Sequence, residues 1–522
     1  MCTTSLDLRL CLLSKFNNGC CANDQQSAAH CSAVQAALLF PTPTQIIDCL
    51  IASEVKTDVP PFPPLKHSHF FILPPNPNPI PHLFPIQSLS LTALFLGRME
   101  SEIHEDIVIV GAGIAGLSTA LGLHRLGIRS LVLESSDGLR ITGFALTMWT
   151  NAWRALDALG IGDSLRARSL RMQGTAYRLL LISVVSIEAC SRNPSLRSQQ
   201  QGGDADLKFD MFESRCVKRK DLLENLEREL PQGTIRYSSR IISIVESGRL
   251  KLLHLADGTD VRAKVLIGCD GVNSVVAKWL GLQNPVNAGR SAIRGFVEYM
   301  DGHGFEPKFH AYFGGGVRYG FIPCDQKSIY WFCTFTPSLF TYDENEQDPL
   351  KMKQFVMSNI WDAPKHVSDI VERTGLDCIS CAPLKFRQPW NILQGNIVKN
   401  NVCVAGDALH PMTLDIGQGG CSALEDSIIL ARCLAEALLR KQTCNDKEKD
   451  EDYVRMEKGL EKYSKERRWR SFSLISTAYV VGLIQESDSK VIRFLRKNLL
   501  FQFLVGIFER MADFDCGELI VS

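Results

Sequence analysis

Three stretches of this chain combine glycines with a carboxylate in a spacing suited to holding a large phosphorylated molecule. The first is Gly111-Ala112-Gly113-Ile114-Ala115-Gly116. Its glycines permit a tight turn and let backbone N–H groups approach a pyrophosphate, and a helix starting there adds partial positive charge. Glu134 follows Gly116 by 18 residues, where a carboxylate is placed to accept ribose hydroxyls. This combination points to a dinucleotide, without choosing FAD over NAD. The second stretch is Gly268-Cys269-Asp270-Gly271-Val272-Asn273-Ser274, which taken alone is an Asx or glycine turn. The third is Gly406-Asp407-Ala408-Leu409-His410-Pro411, followed by Gly417-Gln418-Gly419-Gly420. There Asp407 is placed to accept a ribityl or ribose hydroxyl. The glycines permit close approach to a flat ring, and the N-terminus of the following helix favours negative charge on that ring. Alone, this stretch also reads as a capped helix after a loop.

These loops need strands and helices to hold them. Ile107–Val110 is a continuous apolar run suited to a buried parallel strand, Ile114–Leu126 has helical periodicity, and Ser130–Leu133 reads as a second strand. That is a βαβ unit. Ile235–Val245 and Lys251–Leu255 read as strands, with Asp257-Gly258 turning into Lys264–Cys269. The aromatic segment 286–390 suggests an antiparallel sheet, and Val402–Ala405 another buried strand. Helices are expected from Cys421 to Arg440 and from Asp452 to about Ala512, and 190–208 reads as an exposed loop.

Acidic and basic residues balance at 57 each, with no dense basic stripe, which argues against nucleic acid. The longest apolar runs, Leu179–Ile187 and Leu499–Phe508, fall short of the roughly 18 residues that span a bilayer, which leaves peripheral membrane contact open. The 18 cysteines are scattered, with Cys378-Ile-Ser-Cys381 a lone CxxC. Scattered cysteines behave as small buried hydrophobes and suit a reducing compartment. Ten prolines lie between Pro60 and Pro85, a density that prevents helix or central strand. Residues 1–98 are expected to be disordered or foreign to a working chain that starts at Met99. The third reading is a transit peptide, which would redirect the chain from the cytoplasm to a plastid.

In this order the three motifs resemble the FAD-dependent aromatic-ring monooxygenases related to para-hydroxybenzoate hydroxylase, salicylate hydroxylase and zeaxanthin epoxidase, most closely the plant FAD monooxygenases. The stretch Gly406–Asp426 carries most of the resemblance, helped by Arg140–Gly143, Arg215–Arg219 and Ala512–Gly517. It implies an α/β fold: a Rossmann-like βαβ FAD-binding domain from 99–285 and 396–440, an antiparallel substrate sheet at 286–395, and C-terminal helices at 441–522. It implies that Gly111, Gly113, Ile114, Ala115, Gly116 and Glu134 hold the ADP half of FAD. Arg140 and Arg219 would contact the cofactor, and Asp270 and Gly271 would serve both FAD and visiting NAD(P)H. Asp407 and Pro411 would bind FAD, and Gly417, Gln418, Gly419 and Gly420 would lie against the isoalloxazine.

The implied reaction uses NAD(P)H and O2 to oxygenate a small aromatic or planar substrate. Gly314-Gly315-Gly316 lacks the strand and helix of a second dinucleotide motif, which suits a family without a separate NAD(P)H domain. The pocket is expected between the flavin and residues 290–335, with Arg294, Arg318, Tyr319, Tyr330 and Trp331 as candidates. His410 reads as structural. Relatives usually carry proline where this chain has Leu414, which frees φ and restores an N–H. A non-catalytic FAD-binding protein and a flavin-dependent oxidase or epoxidase are the alternatives.

Overall fold

A computed structural model describes residues 103–140, 143–179, 204–208, 213–314, 316–340, 348–360, 362–439, 448–486 and 510–520, all within Ser90–Ser522. The proline-rich stretch and the runs beyond Leu179 and from Leu499 to Phe508 lie outside the described residues. In chain order the strands are β1 (Ile103–Val110), β2 (Leu131–Leu133), β3 (Ala145–Met148), β4 (Gly174–Leu179), β5 (Asp204–Lys208), β6 (Arg215–Lys218), β7 (Ile235–Arg236), β8 (Ile241–Ser247), β9 (Leu250–Leu255), β10 (Asp260–Gly268), β11 (Val286–Glu298), β12 (Lys308–Gly314), β13 (Val317–Pro323), β14 (Ser328–Phe335), β15 (Ile379–Phe386), β16 (Val398–Lys399) and β17 (Val402–Val404). Six helices bear on the argument: α1 (Ile114–Arg125), α2 (Val275–Trp279), α3 (Pro349–Asn359), α4 (Lys365–Arg373), α5 (Gly419–Leu439) and α6 (Glu448–Glu486). No helix among the described residues is long and apolar enough to cross a membrane.

The uninterrupted apolar strands build the first sheet, because a parallel strand covered on both faces has no solvent side to display polar residues. Its order is β16-β17-β10-β1-β2-β7, with β9 on β10 and β8 on β9. Strands β17, β10, β1, β2 and β7 run parallel. The register pairs Val110 with Leu133 and with Gly268, and Gly268 with Val404. The carboxyl ends of four strands therefore meet along one edge. Helices α1 and α5 cross on one face through small residues: Ser118 Oγ and Ser427 Oγ are 2.6 Å apart, and a Cβ on Gly122 would lie 3.0 Å from that of Ala431.

The second sheet has the order β15-β11-β14-β13-β12-β4-β5 and is antiparallel except where β12 meets β4. Its strands alternate. Arg294, Arg318, Ile322, Tyr330 and Phe332 line a cavity on one face. Ile293, Val297, Tyr319, Phe321, Trp331 and Cys333 point the other way and share a core with Met352 and Val356 of α3 and Val367 and Ile370 of α4.

Two expectations need correction. Residues 204–208 are not loop but strand β5, and with β4 they extend the second sheet from within the segment assigned to the first domain. The rest of the 190–208 loop lies outside the described residues. The single strand expected over Ile235–Val245 is two, because Ser238 takes φ 51° and breaks the extended run. One half edges the parallel sheet and the other enters a hairpin with β9. The helix expected from Asp452 to about Ala512 is seen as far as Glu486, and residues 487–509 lie outside the described residues.

Gly295 faces the helical side, where an added Cβ would sit 2.2 Å from the Trp331 indole. Gly295→Ala is expected to lower stability by about 1–3 kcal/mol through overpacking, measured by urea unfolding. The cofactor bound per folded molecule should not change, since this face is turned away from the cavity.

Candidate active site

Each strand end delivers one element of the site. Beyond β1, Gly111 takes φ +100°, and a Cβ there would lie 2.6 Å from the Cys269 carbonyl beyond β10. Only glycine lets these two loops touch. A Cβ on Gly116 would stand 1.9 Å from the Gly111 carbonyl, so this glycine seats α1 against its own loop. Gly113 differs: nothing lies within 4 Å of its Cβ position, and it faces the cavity. Helix α1 has no side-chain cap and no acidic residue in its first turn. Its N-terminus is left positive and open, the condition for binding phosphate.

Glu134 at the end of β2 is buried, with one oxygen accepting from Ala112 N–H at 2.7 Å and the other from Ser136 N–H at 2.9 Å. Burial alone would push its carboxyl up, but these backbone bonds outweigh it and hold the carboxyl below its ordinary value. Arg140 lies 3.9 Å away and bonds the Ser135 and Ser136 hydroxyls. Beyond β10, Asp270 accepts from Ser274 Oγ at 2.5 Å and from Val275 N–H at 2.6 Å, bracing the start of α2. Burial raises its carboxyl. Beyond β17, Gly406 packs where a Cβ would lie 2.7 Å from that of Ala115. That contact sets Asp407 beside the first turn of α1, exposed to the cavity and within electrostatic reach of Arg219.

These groups line one cavity of about 1200 Å³ that continues to the aromatic face of the second sheet. Gly111, Gly113, Ile114, Ala115, Glu134, Arg140, Arg219, Asp270, Gly271, Asp407, Gly417, Gly419 and Gly420 all border it, and at its far end so do Arg294 and Leu414. Its volume, its open helix N-terminus and its glycine-lined walls fit FAD.

Five of the candidate site residues are not on its wall. Gly116 acts through packing. Pro411 is buried, with its carbonyl accepting from Arg387 N–H at 3.0 Å. Gln418 is buried and accepts from Asn151 Nδ2 at 2.8 Å. Tyr319, like Trp331, falls on the helical face of its strand because its neighbour Arg318 takes the cavity face. Cys378 and Cys381 are not joined in a disulfide, and Cys381 borders the cavity.

The supports behind the Asp407 loop were not legible in the motif. Arg387, 1% exposed, donates to the carbonyls of Leu409 at 3.0 Å and Ala408 at 2.9 Å, and to that of Gln283. Burial pushes its pKa down to about 10. Asp426 accepts from Gly406 N–H at 2.7 Å and from Arg467 Nε at 2.5 Å, and lies 2.7 Å from His410 Nε2. His410 has no exposure and does not border the cavity, so its role is structural. Nothing local marks Arg387, while Asp426 and Arg467 are 41 residues apart and meet only in the fold.

Gly116→Ala is expected to cost about 1–3 kcal/mol or more, since its Cβ strikes backbone. Gly113→Ala should leave stability nearly unchanged yet weaken FAD. Urea unfolding and flavin titration on both variants separate the two roles. Asp426→Asn leaves buried Arg467 short of countercharge and should cost about 3–5 kcal/mol. Burial would raise the Asp426 carboxyl, but His410 and Arg467 together hold it below its ordinary value. Its stabilising contribution is therefore full above about pH 4 and is lost as pH falls through its lower folded value. Unfolding followed from pH 7 to 3 should show a smaller acid loss in the Asn variant.

The description "FAD binding domain" matches residues 104–447. Monooxygenase 2 of Arabidopsis thaliana is 49% identical over 424 residues, covering 81% of this chain and 100% of that protein. Monooxygenase 1 of the same plant is 35% identical over 417 residues, 79% of this chain and 99% of the other. Among solved structures, HpxO of Klebsiella pneumoniae with FAD and uric acid superposes with a TM-score of 0.61 at 20% identity, over 79% of this chain and 96% of that one. A salicylate hydroxylase substrate complex gives 0.56 at 19% identity, over 79% and 98%. These likenesses show the same fold. With the glycine loops, the Asp407 turn and the second sheet already in place, this chain belongs to the FAD-dependent monooxygenase family built on the FAD binding domain.

Proposed function

We propose that the chain uses NAD(P)H and O2 to oxygenate a small aromatic or planar compound seated on the second sheet. The observation that carries this is the continuity of the cavity: one space runs from the α1 N-terminus to Phe309, Tyr330 and Phe332. Bound FAD supplies the electron transfer and oxygen activation. The protein's part is to position, to shield and to set charge. Gly113 and the first turn of α1 would receive the phosphates, and Asp407 would accept from a polyol hydroxyl. The Phe309 and Phe332 rings, stacked 6.1 Å apart with Arg318 over the Phe332 ring, line an apolar part of the cavity that would displace water from a planar substrate.

Arg294 gives that surface its polarity. Among the described residues it has no carboxylate partner, and it lies near Tyr330, whose phenol is raised by burial and drawn back by the guanidinium. A hydroxyl or anionic oxygen on the substrate ring would find a charge-assisted donor there. No second strand-GxGxxG-helix unit occurs among the described residues, which supports NAD(P)H as a visitor to the same cavity.

The test is anaerobic mixing of the full-length FAD-loaded chain with NADPH or NADH, with and without a panel of phenols. Flavin bleaching accelerated by one phenol, then an oxygenated product on admitting air, is the expected result. Flavin that neither nucleotide reduces would overturn it in favour of a non-catalytic FAD binder. Peroxide without oxygenated product would favour an oxidase. Arg294→Gln should raise KM for the accepted phenol by on the order of ten- to a hundredfold, the value of about 1.5–3 kcal/mol for a hydrogen bond to a charged group.

A further inference from the structure

One buried carboxylate beside the cavity has no part in the roles above. Asp415 sits in the turn Leu414–Ile416, which borders the cavity just before Gly417. Its side chain has no exposure. One oxygen accepts from Arg290 Nη1 at 3.1 Å and from Arg318 Nη1 at 3.2 Å, the other from Arg290 Nη2 at 2.7 Å. The arginines come from β11 and β13, two strands of the second sheet separated by β14. The turn itself belongs to the loop that leaves the first sheet after β17. The ion cluster therefore ties the two sheets together beside the cavity.

Helix α6 closes over the cluster with Gly482. A Cβ there would stand 2.2 Å from Arg290 Nη2 and 2.5 Å from Asp415 Oδ2. Glycine is unfavourable inside a helix, and here its missing Cβ is what lets the helix approach. The forked donors of two guanidinium groups fix a carboxylate in direction as well as distance.

The backbone at this turn has little restraint of its own. Thr413 has φ −69° and ψ 156°, the polyproline region required of a residue before proline. No hydrogen bond from Leu414 N–H is found among the described residues. Position 414 is thus shaped for a proline at the start of a helical turn, yet it holds leucine, whose φ is free.

We propose that Asp415 is a positioning residue. Held by Arg290 and Arg318, it immobilises the turn beside the flavin, supplying through side chains the restraint that a proline at 414 would supply through the backbone. The inference stands on the fold and on FAD binding, and does not depend on which substrate is oxygenated.

The test uses the full-length chain loaded with FAD. Arg318→Gln removes one of the three bonds and leaves the Arg290–Asp415 pair in place. Asp415→Asn removes the countercharge from both arginines. Each is made alone and with Leu414→Pro. FAD affinity is read from flavin fluorescence, and the flavin environment from the visible absorption band. Arg318→Gln is expected to weaken FAD by on the order of tenfold, within the range of coupling in one polar network, and to alter the band shape. Leu414→Pro should restore both, which a merely structural loss of stability would not allow. If Asp415→Asn does not fold, the Arg318→Gln pair decides. Unchanged affinity and spectrum in Arg318→Gln, or changes that Leu414→Pro fails to reverse, would overturn the proposal. Because neither readout involves NAD(P)H or oxygen, its failure is distinct from failure of the oxygenation reading.

Discussion

The register of the parallel sheet is the constraint on which the rest depends. Val110, Leu133, Gly268 and Val404 end their strands side by side. The loops after them must therefore leave from one edge, into the crevice where ligands of open α/β sheets bind. Segments nearly 300 residues apart in the chain thereby become neighbours. Their separation at that edge is set by backbone contact, since Gly111 touches the Cys269 carbonyl and Gly406 touches Ala115. A side chain at either glycine would push apart the walls of the site.

Holding charged groups at such an edge demands countercharge behind it. Asp426 lies between His410 and Arg467, and Glu425 between Arg467 and Arg470, with both carboxylates fully buried. Breaking a buried pair costs more than making it gains, so the value of these clusters lies in fixing the loop rather than in net stability. Helix α6 supplies both arginines and also Gly482. The C-terminal part of the chain is thus structural support for a loop some sixty residues before it. Arg387 does the same from the other side with carbonyl oxygens in place of carboxylates, which suits a loop whose own backbone acceptors are otherwise buried without donors.

The second sheet divides its labour by strand parity. One face packs Trp331, Tyr319 and Phe321 against two helices, while the other offers Arg294, Tyr330 and Phe332 to the cavity. Aromatic residues are abundant on both faces, so composition does not distinguish the wall of a pocket from a core.

The sequence by itself determined the βαβ unit, the strand ends and the glycine positions, because these are local. An apolar run, a turn that only glycine can make and a helix start each leave their mark within a few residues. FAD came from the family resemblance that three such marks in one order carry, since the first mark alone fits any dinucleotide. Tertiary structure decided what depends on phase and on distant partners. A period of two makes either Arg318 or Tyr319 face the cavity, and only the packing of α3 and α4 chooses. Gln418 stands among the glycines of the motif yet turns to Asn151, because the start of α5 has a buried side. Strand β5 was hidden in a polar stretch, since an edge strand needs a partner's backbone more than apolar side chains. The Arg290–Asp415–Arg318 cluster was invisible for the same reason: Coulomb attraction acts across space, and nothing in the spacing of residues 290, 318 and 415 records that they meet.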